Sequence, residues 1–216
     1  MMLTNPDVDR YIAELAKLEA PVLAEMQAAG EARAFPIIGP VVGTLCEQLS
    51  RAGGARDVFE MGSGFGYFTY WFARAVPPDG RVVHTDTDGT LGAEARTWLK
   101  RGKLLSRVHF ELGDALVVLT RFPGPFDVIF IDAEKHSYPE ALELARDRVR
   151  VGGPIITDNM LWGGKVLEPP PEGPNAPSDP ATAGVREYTR RALLANELLT
   201  TVLSIGDGVS VSLRVA

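Results

Sequence analysis

The chain has 216 residues, 45% of them hydrophobic, and a formal net charge of −6. That length and composition fit one soluble globular domain over 1–216 with a substantial core; the acidic balance, with no extended Lys/Arg run, argues against a nonspecific grip on nucleic acid or an anionic membrane. The single cysteine, Cys46 in the apolar helical pattern VVGTLCEQL, excludes a disulfide framework and a cysteine metal site and reads as a buried structural thiol.

In chain order, the first thirty residues read as helix. Thr4 and Asp7 are spaced as a capping pair, Ile12, Leu15, Leu18, Val22, Leu23 and Met26 form an apolar stripe, and Pro21 bends or divides it. Charged residues (Asp7, Asp9, Arg10, Glu14) interrupt the segment, so neither a signal peptide nor a membrane span is expected, and the cytoplasm is the expected location. A second helix over 41–49 leads through Gly53 and Gly54 to the first strand.

From 56 onward the pattern alternates: strand 56–61, helix 65–76, strand 81–85, helix 91–101, strand 107–111, short helix 114–120, strand 126–132, helix 138–149, strand 154–158. Such alternation means parallel βαβ units and a doubly wound sheet. A helix at 183–196 and strands near 199–205 and 209–215, joined by a Gly206-Asp207-Gly208 turn, add an antiparallel hairpin. The expected fold class is therefore α/β: a doubly wound, mostly parallel seven-stranded sheet ending in that hairpin, with helices over 1–52 preceding a core over 53–216. The proline-rich stretch over 163–183 is too irregular for an element, and loops of that length are usually functional or disordered.

In an open parallel sheet, ligands bind beyond the carboxyl ends of the strands, and five of the expected strands deliver something polar there. The first ends at Glu60 and a glycine turn with Gly62, Gly64 and Gly66, a geometry that brings backbone N–H groups close to a cofactor. Its G-x-G-x-G spacing differs from the dinucleotide pattern G-x-G-x-x-G and resembles motif I of S-adenosylmethionine-dependent methyltransferases. The second ends near Asp86, which either accepts from two ribose hydroxyls or, like Asp88, caps the next helix. After the third, Asp114 can accept from an adenine amino group, cap a helix, or do both. The fourth and fifth end in Asp132 and in Asp158-Asn159, hard oxygen donors that either share a cation such as Mg²⁺ or cap helices; spacing alone does not decide.

Taken together, EMGSGFGY, VVHTDTD, GDA, FDVIFIDAEKHSYPE and GGPIITDNMLWGG occur in the order and at about the spacing of the catechol and caffeoyl-CoA O-methyltransferase family, which the chain resembles from Phe35 to its end. The resemblance implies a divalent-metal-dependent transfer of a methyl group from S-adenosylmethionine to a hydroxyl of a catechol-like acceptor. It places cofactor contacts at Ile38, Gly39, Glu60, Gly62, Gly64, Phe68, Asp86, Asp114, Ala115 and Asp132. It places metal ligands for Mg²⁺, Mn²⁺ or Ca²⁺ at Asp132, Asp158 and Asn159, and the catalytic base at Lys135. It also suggests a homodimer. Two departures stand out: Phe68 occupies the place of a small hydroxyl residue, with Thr69 next, and Asp88-Gly89 replaces an Asp-Pro.

The chemistry needs an aligned, deprotonated oxygen near the methyl carbon, so positioning is most of the work. A lysine serves as the base where a neighbouring cation and partial burial disfavour its ammonium form. His136 reads as solvated and stays outside the catalytic set, Trp71 and Trp98 read as packing residues, and Trp162 opens the loop expected to wall the acceptor. Competing readings are an NAD-dependent oxidoreductase, a methyltransferase acting on nucleic acid or protein, and a noncatalytic binding module.

Overall fold

The computed structural model describes residues 5–16, 20–37, 39–169 and 179–216. Three helices come first: α1 (Pro6–Leu15), α2 (Pro21–Ala32) and α3 (Pro40–Ala52). Each starts on a proline, whose fixed φ and missing N–H suit the first helical position. Pro21 thus opens a separate helix. Thr4 and Leu18 lie outside the described residues, and Asn5 makes the cap of α1, its side chain accepting from the Asp7 N–H at 3.0 Å.

The rest alternates: β1 (Asp57–Met61), α4 (Tyr67–Ala75), β2 (Arg81–Asp86), α5 (Gly89–Arg101), β3 (Val108–Leu112), α6 (Ala115–Thr120), β4 (Val128–Ile131), α7 (Tyr138–Arg148), β5 (Pro154–Thr157), α8 (Pro180–Leu194), β6 (Leu198–Leu203) and β7 (Val209–Arg214). The seven strands are ordered β3-β2-β1-β4-β5-β7-β6, parallel except for β7, which runs antiparallel to both β5 and β6. β1 pairs with both β2 and β4, so the chain reverses direction across the sheet there and leaves a crevice at the strand ends.

Alternate strand residues feed two cores. Val58, Val82, Val128 and Phe130 pack under α2 to α5, whereas Phe59, Met61, Ile129 and Ile131 pack under α6 to α8. Cys46 and Trp71 are buried in the first of these, as expected, and Trp98 packs at its margin.

Two expectations are corrected. The 163–183 stretch is not wholly irregular: Trp162–Leu167 forms a pair of 3₁₀ turns. α8 begins at Pro180, because the Asp179 carboxylate caps it by accepting from the Ala181 N–H at 3.1 Å and the Thr182 hydroxyl at 2.6 Å. Residues 170–178 lie outside the described set.

Candidate active site

A cleft of about 770 Å³ opens at the carboxyl ends of β1, β2, β4 and β5. Its size falls in the range of small-molecule sites. At its floor the turn after β1 passes so close to β4 that a Cβ on Gly62, which has φ +79°, would sit 2.2 Å from the Asp132 carbonyl oxygen. Only glycine permits that crossing.

The glycine-turn half is closed by hydrogen bonds. Asp86 accepts from the Gly64 N–H through Oδ2 and from the Asp88 N–H through Oδ1, both at 2.8 Å, while Asp88 caps α5 by accepting from the Thr90 N–H. Of the two acids, Asp86 faces the cleft and Asp88 is the cap of α5. Asp114 caps α6 by accepting from the Leu116 and Val117 N–H groups, and it also lines the cleft beside Ala115. Gly62, Gly64 and Phe68 also line it, Phe68 stacked on Phe130 with ring centroids 4.9 Å apart. Gly39 serves instead as the N-cap position of α3 and is not among the lining residues; Ile38 lies outside the described residues.

Glu60 lines this half too, fully buried at the end of β1. Its Oε2 accepts from the Thr69 hydroxyl at 2.5 Å, and that hydroxyl lies 2.9 Å from His84 Nδ1 on the paired strand β2. The hydroxyl displaced one position by Phe68 is therefore engaged with Glu60. Burial outweighs the Thr69 bond and pushes the Glu60 carboxyl up to about 8, while burial holds His84 down at about 3. Thr69 stands out in the sequence only as the hydroxyl next to Phe68, and His84 not at all, since both sit inside apolar patterns; the pairing of Glu60 with His84 in register is the signal that links them.

The other half is assembled from β4, β5 and the β6–β7 loop. Lys135 opens a 3₁₀ turn (Lys135–Ser137), and its Nζ donates to Asp132 Oδ1 at 2.8 Å and to the Ala133 carbonyl at 3.2 Å. That Nζ also stands 5.3 Å from the Tyr138 ring centroid and 5.7 Å from that of Trp162. α8 presses on the same turn at Gly184, where a Cβ would meet the Lys135 carbonyl oxygen at 2.1 Å. His136 is exposed and contributes nothing to the lining.

Asp158 is fully buried, and both carboxylate oxygens lack a hydrogen-bond partner. Burial, followed by the charge of Asp132, pushes its carboxyl well above the usual carboxylate range. Asn159 has φ +58°, which turns it at the end of β5, and its amide donates weakly to Asp207 Oδ2 at 3.4 Å. None of the three caps a helix: Glu134 and Leu161 hold the neighbouring cap positions. Asp207 joins them from the β6–β7 loop, accepting from the Gly163 N–H at 2.7 Å and lining the cleft. The sequence reading treated it only as a turn residue, although an antiparallel β7 beside β5 puts that turn at the same edge as Asp158.

Two carboxylates and an amide carbonyl are donor types that suit a hard divalent cation, and neither oxygen of Asp158 is taken by a protein partner. Among the described residues no group of three or more His, Cys, Asp or Glu side chains is drawn together as a preformed metal cluster, so the Asn159 amide would have to complete the set.

A glycine turn between β1 and α4, acids at successive strand ends and a lysine beside buried carboxylates define an α/β enzyme that holds a nucleoside-type cofactor next to a polar reaction centre. The family model for O-methyltransferases matches residues 14–215, and the chain belongs to that family of S-adenosylmethionine-dependent enzymes. It is 34% identical over 187 residues to a catechol O-methyltransferase of Niastella koreensis, covering 84% of this chain and 82% of that one. A caffeoyl-CoA O-methyltransferase of Stellaria longipes is 28% identical, covering 81% and 76%. The crystal structure of the O-methyltransferase TomG from Streptomyces achromogenes in complex with SAM superposes with a TM-score of 0.86 at 28% identity, covering 100% of both chains. Family membership removes the oxidoreductase and noncatalytic readings. Among the described residues, no helix is long and apolar enough to cross a membrane.

Proposed function

We propose that this enzyme moves a methyl group from S-adenosylmethionine to one hydroxyl of a small aromatic vicinal diol, with Lys135 as the base and Asp132, Asp158 and Asn159 holding a divalent cation such as Mg²⁺. One observation carries this reading: the Asp158 carboxylate is buried with neither oxygen bonded, beside the Asp132–Lys135 pair and inside the cleft. A buried acid of that kind is costly unless a ligand completes it.

Each part then has a task. Glu60, Asp86 and Asp114 line the end of the cleft that would take the cofactor, and their acceptor oxygens suit its amine and hydroxyl groups. The Trp162 ring provides a flat apolar wall for the acceptor's aromatic ring. When bound, a divalent cation would draw two neighbouring oxygens of the acceptor together and favour ionisation of the one that attacks. Lys135 Nζ, fixed by Asp132 and the Ala133 carbonyl, stands at the same acids and takes the proton from that hydroxyl. The exposed apolar residues of α1, Val8, Tyr11, Ile12 and Leu15, support the expected homodimer, since a single chain leaves them in water.

The test is a methylation assay with labelled donor on a panel of vicinal diols and matched single phenols, run after chelation and again after adding back Mg²⁺, Mn²⁺ or Ca²⁺. Activity confined to diols and restored by metal is expected. Undiminished methylation in metal-free enzyme, or equal rates on single phenols, overturns the proposal.

A further inference from the structure

Glu60 divides its two oxygens. Oε2 accepts from the Thr69 hydroxyl at 2.5 Å, whereas Oε1 is buried without a partner among the described residues, on a side chain that lines the cleft. The backbone is pinned separately, because the Thr85 hydroxyl donates to the Glu60 carbonyl at 2.6 Å. What the Thr69 bond sets is therefore the turn of the side chain.

Neither Thr69 nor His84 is among the lining residues, and both are buried. Phe68 takes the lining position on α4, and the next residue points about 100° further round the helix, toward β1 and β2. There the Thr69 hydroxyl meets His84 Nδ1 at 2.9 Å. The His84 ring lies 4.7 Å from that of Phe110 on β3, and its Nε2 has no partner. Burial, followed by the charge of Arg96 on α5, keeps the imidazole neutral.

A threonine hydroxyl has one hydrogen to give. Given to an ionised Glu60, it leaves the Thr69 oxygen facing Nδ1, which must then carry the ring's hydrogen and leave Nε2 bare, where no acceptor is at hand. The carboxylate itself is costly in a buried place without a positive partner. Of the groups of S-adenosylmethionine, the ammonium alone is both cationic and a hydrogen-bond donor, and it offsets the burial that favours the neutral acid in the unliganded chain.

We propose that Thr69 is a positioning residue for the cofactor: its hydroxyl, backed by the Nδ1–H tautomer of His84, turns the Glu60 carboxylate so that Oε1 accepts from the cofactor's ammonium group. This inference rests on the reading above that Glu60 lines the cofactor end of the cleft.

The experiment measures calorimetric binding of S-adenosylhomocysteine and of its deamino analogue, in which hydrogen replaces the amino group. Thr69→Val, which keeps the shape and removes the hydroxyl, is expected to weaken S-adenosylhomocysteine about ten- to a hundredfold and the analogue by less than about threefold. Thr69→Ser should restore binding to within about threefold of the parent. Equal losses for both ligands, or no rescue by serine, reduce Thr69 to a packing residue and overturn the proposal. Glu60→Gln separates the inference from the reading beneath it. Weakened S-adenosylhomocysteine in Glu60→Gln with full affinity in Thr69→Val removes the positioning role alone, whereas full affinity in Glu60→Gln removes Glu60 from the cofactor site and the inference with it. The tautomer is read by ¹⁵N NMR in a His109→Gln, His136→Gln background, which leaves His84 as the one histidine of three. Loaded with S-adenosylhomocysteine, it should be neutral with its hydrogen on Nδ1; a hydrogen on Nε2 would mean that Thr69 donates to His84 instead, and would overturn the proposal.

Discussion

At the glycine-turn end of the cleft every acid has a protein partner: Asp86 holds two backbone N–H groups, Asp114 caps α6 and Glu60 accepts from Thr69. At the opposite end, a few residues along the same sheet edge, Asp158 has none and Asp132 has only Lys135. In the first arrangement each acid is held by the protein through at least one oxygen, with Glu60 Oε1 left unpartnered, so binding there costs little reorganisation. The second is left electrostatically unfinished by the fold, as expected where a ligand supplies the missing charge.

The sharpest break of this contrast is Asp158→Asn. If the unmet carboxylate exists for catalysis, the variant should lose roughly a thousandfold in kcat/KM. Its unliganded form should nonetheless melt higher than the parent, since a buried acid without partners is replaced by a neutral group of the same shape. A lower melting temperature would show that Asp158 supports the fold. Lys135→Ala comes next, with a loss of about a hundredfold or more in kcat. Its affinity for S-adenosylmethionine, measured by calorimetry, should stay within about threefold, because the cofactor half does not include it. Equal turnover in the mutant would remove Lys135 from the mechanism.

The glycine-turn half predicts a pH dependence of its own. Glu60 is raised from 4.5 to about 8 in the folded chain, so the folded state keeps a proton that the unfolded state has lost. Its contribution is fully present below about 4.5 and is lost as pH rises through 8, with stability falling on the order of a few kcal/mol across that window. Glu60→Gln should flatten this slope in denaturant titrations of the unliganded enzyme between those limits. An unchanged slope would mean that Glu60 is ionised in the fold. A smaller effect is expected from Asp86→Ala: a loss of about ten- to a hundredfold in S-adenosylmethionine affinity, with kcat at saturating cofactor retained.

The two halves also differ in how far they could be read beforehand. Periodicity exposed the βαβ alternation, because strands buried on both faces are continuous apolar runs, and the Gly206-Asp207-Gly208 turn exposed the hairpin. Strand ends followed from that, and with them Asp86, Asp114, Asp132 and Asp158. What stayed hidden depended on tertiary contact. Thr69 becomes a partner of Glu60, and His84 of Thr69, only when α4 lies on β1 and β2. Asp207 belongs to the site only because β7 inserts beside β5. The start of α8 was missed for a local reason: Pro180 continues a proline-rich run in the sequence, yet proline at a first helical position after an Asp cap favours the helix.

The smallest expected effect concerns the wall between the halves and the solvent. Arg186, on α8, reaches three carbonyls of the turn that carries Trp162, so the ring position is set from a helix that contributes little else to the acceptor. Truncating it to alanine frees carbonyls that water can reach, which limits the stability cost to about 1 kcal/mol. The turn then samples more positions, and the acceptor must order it on binding. Arg186→Ala should therefore raise the acceptor KM about three- to tenfold while kcat and the cofactor KM hold, because ordering a wall taxes ground state and transition state alike. A fall in kcat with unchanged KM would instead place Arg186 in contact with the reacting groups and shift the boundary between the two halves onto α8.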